Sequence, residues 1–174
     1  SSRPIHRYDA DRRPLHSSLI RAALRFLIVC TANVCRSPMG EAAMRHALAA
    51  RGVRADVGSA GIDAIDNEPA HPLSVATVKV AGVGDLTMHR SRLVSPLMVR
   101  SADMVLCMEQ MHRSALVERV PEAAGRVCLL GRWQGVEIED PVNGPAGDYI
   151  ACLEMMTECI EQWLDRLGKQ GLLQ

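Results

Sequence analysis

Aromatic side chains are almost missing from this sequence, with two Trp, two Tyr and a single Phe among 174 residues. Any pocket must therefore be walled mostly by aliphatic groups. An excess of one charge is missing too, because 20 basic and 20 acidic residues cancel. Net charge thus gives no pull towards nucleic acid or an anionic membrane surface, and no nucleic-acid partner is expected. The apolar stretches are too short and too interrupted by Arg to span a bilayer, which needs ~20 apolar residues. No charged start leads into an apolar run with a small-residue cleavage site, so secretion is not expected. Cys-x2-Cys spacings are absent and the His residues are scattered, so neither a metal nor another cofactor is expected.

What is present is ordinary globular material, 48% hydrophobic and 23% charged, enough for one domain with a substantial core. Residues 1–22 read as an Arg-rich, poorly ordered extension without periodicity, the alternative being a short helix around Leu19–Ala23. Residues 23–174 read as the domain. Of the six cysteines, Cys107 and Cys128 lie in apolar runs and Cys152 and Cys159 in a helical pattern. They are read as small buried thiols in a reducing, cytoplasmic setting. Cys30 and Cys35 remain to be explained.

Strand and helix patterns alternate along the domain. Phe26–Val29 is a short continuous apolar run, as in a strand buried on both faces. The spacing predicts a helix over Pro38–Ala50, a strand over Val53–Val57 and a helix over Pro72–Ala81 stopped by Gly82. Then come a strand over Met104–Met108, a helix over Gln110–Val120, a strand over Arg126–Leu130 and a polar loop from Gly131 to Gly147. A closing helix, Tyr149–Leu167, has Leu153, Met156, Ile160, Trp163, Leu164 and Leu167 on one side. The expected fold class is α/β in three layers, a four-stranded parallel sheet flanked by helices on both faces.

The chemistry concentrates in Cys30-Thr31-Ala32-Asn33-Val34-Cys35-Arg36-Ser37-Pro38, between the first strand and the first helix. Ligands of open parallel sheets bind outside the carboxyl ends of strands. A loop entering a helix aims backbone N–H groups inward, and the helix dipole adds positive potential, which suits a phosphate dianion. Pro38 fits the first helical turn, where its missing N–H has no intrahelical partner to lose. Cys30 sits at the base of this cradle, where the helix N-terminus and a neighbouring Arg favour a thiolate. Arg36 can return across the loop and hold two phosphate oxygens with its planar fork. Ser37 can offer its hydroxyl to the sulfur. Asn33 tolerates the left-handed backbone a tight cradle requires.

With Ser59-Ala60-Gly61, His89-Arg90-Ser91-Arg92, Leu106-Cys107-Met108-Glu109 and Glu139-Asp140-Pro141, the Cys30–Pro38 segment makes the chain resemble the low-molecular-weight protein tyrosine phosphatases. The likeness spans roughly residues 25–168 and is to the bacterial type associated with exopolysaccharide production. The resemblance implies Cys30 as nucleophile, Arg36 as phosphate clamp and Asp140 as general acid. It implies phosphate binding by Thr31, Ala32, Asn33, Val34, Cys35, Arg36 and Ser37. Asn33, Ser37, Ser59 and His89 match a hydrogen-bonded set that shapes the loop. The implied partner is a phosphotyrosine protein, including a bacterial tyrosine autokinase. Cys35 reads equally as a small buried residue or as a disulfide partner that switches Cys30 off; the resemblance favours redox protection.

Three positions depart from the family pattern. Ala32 replaces a usual Gly, which is harmless only at negative φ. Val142 and then Asn143 stand where an aromatic usually follows Asp140-Pro141, and Ile65 stands where another aromatic wall can lie. With Val34, these form the expected pocket wall. The rivals are a protein-arginine phosphatase, whose members carry Thr in place of Val34, an arsenate reductase using Cys152 and Cys159, and a phosphopeptide-binding module without turnover. Nothing in the sequence sets an oligomeric state.

Overall fold

The computed structural model describes residues 23–173, so the extension expected over residues 1–22 lies outside the described residues. The first apolar run becomes β1 (Leu24–Cys30). Its alternate side chains leave on opposite faces of the sheet, as a two-residue period requires. Phe26 and Ile28 pack on the face covered by α1 (Arg36–Ala50), α2 (Pro72–Ala81) and α5 (Ala146–Lys169). Leu27 and Val29 pack on the other, beneath α3 (Pro96–Ser101) and α4 (Gln110–Arg119). Ile28 and Val29 are wholly buried; each such side chain contributes roughly 1.5–3 kcal/mol.

Four parallel strands, β1, β2 (Ala55–Gly61), β3 (Met104–Cys107) and β4 (Val127–Leu129), lie in the order β2-β1-β3-β4. The chain moves from β1 to one side, then crosses back to place β3 on the other. This reversal opens a crevice at the carboxyl end of β1, where Cys30 stands. The expected three-layer α/β class is the one observed.

Several boundaries differ from the sequence expectation for identifiable reasons. The helix expected from Pro38 starts two residues earlier, at Arg36; Pro38 then occupies the third position, still within the turn whose N–H groups lack intrahelical partners. The second strand runs over Ala55–Gly61 rather than Val53–Val57. Its Gly58-Ser59-Ala60-Gly61 half has weak strand propensity, yet it pairs in register with β1 from Leu27↔Gly58 to Cys30↔Gly61, so pairing and burial override propensity. The sequence reading missed α3, although Ser95 caps it by accepting from the Met98 N–H at 3.2 Å and Pro96 opens it. It also missed a short 3-10 turn at Pro121–Ala123. The expected stop of α2 at Gly82 holds, with φ of 70° in the left-handed region.

Candidate active site

The loop from Cys30 to Cys35 joins β1 to α1, and Asn33 organises it. Asn33 is fully buried with φ of 57°, and every polar atom it has is bonded. Its backbone N–H points at Cys30 Sγ (3.3 Å), and its carbonyl accepts from His89 Nε2 (2.8 Å). Its Oδ1 accepts from the Arg92 N–H (3.0 Å), while its Nδ2 donates to Ser37 Oγ (2.8 Å) and Ser59 Oγ (3.0 Å). Among the described non-glycine residues, positive φ occurs only at Asn33, Asn67 and Asn143. Ala32 is therefore not in the left-handed region, and its replacement of glycine carries no strain there.

The directions of these bonds matter. Because one Asn33 amide group fills an acceptor site on both serines, each serine hydroxyl proton is free to face elsewhere. Ser59 sends its proton to Glu41 Oε2 at 2.6 Å. Ser37 Oγ lies 2.9 Å from Cys30 Sγ and 3.4 Å from the Ala60 carbonyl, and its proton has these two acceptors to choose between. Cys30 Sγ thus lies within reach of a backbone N–H and a hydroxyl. Gly61, paired with Cys30 across the sheet, permits the close approach: a Cβ there would strike the Thr31 carbonyl. The loop is tied down further by Ile62 N–H to the Cys30 carbonyl and Asp63 N–H to the Thr31 carbonyl, both 3.0 Å.

Arg36 enters from the first turn of α1 and is 2% exposed. Its Nη1 donates to Glu109 Oε1 and to the Ile138 carbonyl (2.8 Å), and its Nη2 donates to Asp140 Oδ2 at 3.1 Å. Glu109 caps α4 at the end of β3, and Asp140 lies on the loop between β4 and α5. Three groups from the segments after β3 and β4 therefore converge on one guanidinium. Burial disfavours its charge, but the Glu109 bond and the Asp140 charge outweigh that and hold it firmly protonated. Asp140 is fixed from its own loop as well, its Oδ1 accepting the Val142 N–H at 3.1 Å.

Cys35 stands at the N-cap of α1 in the same buried cluster as Cys30, its sulfur 3.8 Å from the Tyr149 hydroxyl. Burial is the main cause pushing its thiol above the ordinary value. All six cysteines are free and buried. Cys152 and Cys159 lie two turns apart on the unbroken α5, ~10 Å along the axis, and burial pushes their thiols up to about 12 and about 11. That placement does not suit a disulfide-forming shuttle. Among the described residues no group of three or more His, Cys, Asp or Glu is arranged to hold a metal ion, and no helix is long and apolar enough to cross a membrane.

The structure brings Cys30, Asn33, Arg36, Ser37, Ser59, His89 and Asp140 into one connected assembly. The expected wall residues are set differently. Val34 is half-buried against the core, whereas Ile65 (73% exposed) and Val142 (43% exposed) stand on the loops after β2 and β4. Sequence reasoning missed Glu41 and His112, and quoted Arg92 and Glu109 without a role. For His112 the local signal was weak, because its reciprocal cap with Glu109 uses neither the Ser/Thr nor the Glu/Gln of the usual capping box.

The chain matches the family model described as "Low molecular weight phosphotyrosine protein phosphatase" over residues 25–172. It is 33% identical over 145 residues to a probable low molecular weight protein-tyrosine-phosphatase, EpsP, of Ralstonia nicotianae, covering 83% of this chain and 97% of that one. Among solved structures, a low molecular weight protein tyrosine phosphatase from T. tengcongensis superposes with a TM-score of 0.79 at 31% identity, over 83% of this chain and all of that one. The YwlE arginine phosphatase from Geobacillus stearothermophilus superposes with a TM-score of 0.77 at 29% identity, over 86% of this chain and 96% of that one.

Proposed function

The chain belongs to the low molecular weight phosphotyrosine protein phosphatase family, and from that premise we propose that it hydrolyses protein phosphotyrosine through a phosphate ester formed on Cys30. The observation that carries this reading is the convergence of a donor-flanked Cys30 sulfur, a buried Arg36 and Asp140 at one mouth. Cys30 thiolate attacks phosphorus in line with the leaving oxygen. The Nε–Nη2 edge of Arg36 and the loop N–H groups take the charge on the equatorial oxygens. Asp140 protonates the departing phenolate, and the S–P bond then replaces the P–O bond. Asp140, now ionised, removes a proton from water as that water attacks the thiophosphate, which releases phosphate and restores Cys30. Asn33, Ser37, Ser59 and His89 hold the cradle in shape, and Cys35 serves as the redox partner of Cys30. The apolar, half-buried Val34 supports tyrosine over arginine as the phosphate carrier. The proposed substrates are phosphotyrosine proteins of a bacterial polysaccharide system, including an autophosphorylating kinase.

Steady-state phosphate release from a phosphotyrosine peptide and a phosphoarginine peptide, under reductant, tests the reading. Wild type should turn over the tyrosine substrate, and Cys30→Ser should lose that turnover while still binding phosphate. Preference for the arginine substrate would move the assignment to the other phosphatase class. Asp140→Asn should slow aryl phosphates with poor leaving groups by about 10²-fold or more and good ones least; a uniform loss would remove Asp140 as the acid.

A further inference from the structure

His112 is fully buried at the third position of α4, and its two ring nitrogens reach different parts of the site. Nδ1 accepts the Glu109 N–H at 3.0 Å, which closes the cap of α4. A ring nitrogen accepting from an N–H carries no proton, so the proton is on Nε2. Nε2 lies 2.9 Å from Thr31 Oγ1 and therefore donates to it. Thr31 follows Cys30 directly, and Glu109 is the carboxylate that grips Arg36. One imidazole thus ties the residue beside the sulfur to the residue behind the guanidinium. Asn33 and its partners hold the cradle from the β2 side, while His112 holds it from the β3 side.

We propose that His112 is a positioning residue for the phosphate loop, its neutral imidazole bracing Thr31 against the cap that carries Glu109 so that Cys30 and Arg36 keep their register. The inference rests on the phosphatase reading above. The imidazole works only in the neutral form: a proton on Nδ1 removes the acceptor of the Glu109 N–H and sets a cation near Arg36. Burial foremost, then Arg36, holds His112 below the ordinary value of 6.5, while Glu109, Asp140 and Glu137 oppose them with smaller effect. The brace therefore stays intact through neutral pH and fails only on the acid side.

Two amide replacements separate the halves of the ring. In His112→Gln the amide nitrogen falls near the Nε2 position and keeps the donor to Thr31. In His112→Asn the amide oxygen falls near Nδ1 and keeps the helix cap but not the brace. With p-nitrophenyl phosphate, His112→Asn and Thr31→Val should each lower kcat about threefold to tenfold, the worth of one hydrogen bond. His112→Gln, which gives up only the acceptor of the Glu109 N–H, should lose less kcat than His112→Asn, and Thr31→Val with His112→Asn should lose no more than either alone. The acid fall of kcat/KM should be shallower in His112→Gln than in wild type. A merely structural histidine predicts the opposite order, Asn better than Gln, and that order would overturn the proposal, as would wild-type kcat in Thr31→Val. Should wild type itself fail to turn over, the phosphatase reading falls while the brace is still read from affinity for inorganic phosphate, where Thr31→Val should bind severalfold more weakly; unchanged binding would overturn it.

Discussion

Asn33 and Val142 stand at the two ends of the candidate site. Asn33 is fully buried, with all its polar atoms bonded to five neighbours, and Val142 is 43% exposed. Around Asn33 the floor is a closed set of directed hydrogen bonds. Around Val142 and Ile65 the rim is aliphatic and largely open to solvent. In the proposed reaction the floor meets an anion whose charge and shape are the same in every phosphate monoester, so it can be rigid. The rim would then meet the group that varies between substrates, and Ile65 and Val142 give it aliphatic side chains.

That contrast can be broken from the floor outwards. Arg36→Lys should have the largest effect, about 10²–10³-fold in kcat/KM, because a single ammonium cannot span two phosphate oxygens and leaves Glu109 and the Ile138 carbonyl short of a donor; steady-state kinetics reads it. Asn33→Ala should follow, lowering kcat about 10–100-fold and stability by about 1–3 kcal/mol in a denaturant titration. It places a Cβ-only residue in the left-handed region and strands both serines and the Arg92 N–H. Cys35→Ser should leave reduced activity nearly intact but cut the activity recovered after peroxide and thiol treatment severalfold, because no neighbouring thiol then traps the oxidised Cys30; equal recovery would remove Cys35 as redox partner. The rim should answer last and in KM alone: Val142→Tyr should lower KM for aryl phosphates about threefold to tenfold with kcat unchanged, since one aromatic contact is worth about 0.5–1.5 kcal/mol. A change in kcat there would mean that floor and rim are not separable.

The floor was also the more legible part of the sequence. A buried apolar run leading to Cys30 and an Asn in the tight turn are local signals that the structure places as expected, and the helix read from Pro38 opens two residues earlier, at Arg36. The sheet class was legible for the same reason, since continuous apolar strands alternated with helical spacing. What escaped were partners set by topology. Glu41, Arg92, Glu109 and His112 are exposed or capping types by local pattern. They become part of the site because β2 and β3 flank β1 on opposite sides: the segments after them bring Arg92, Glu109 and His112 to the same end, and β2 brings Ser59 to Glu41 on α1. The second strand was misplaced because its site-bearing half is made of small residues, selected for closeness to the cradle rather than for strand propensity.

The 3.1 Å bond between Arg36 Nη2 and Asp140 Oδ2 carries one further consequence. Nη1 is committed to Glu109 and the Ile138 carbonyl, so Nη2 belongs to the edge left for an incoming anion, and the carboxylate already occupies it. Nη2 has two hydrogens and Nε one, so in the proposed reaction a dianion is held by the hydrogens that Asp140 leaves, and the carboxyl stays beside the phosphate instead of being driven from it. The proton that the leaving oxygen takes then reaches Asp140 from solvent before transfer, and the guanidinium serves as a hinge on which phosphate and acid meet.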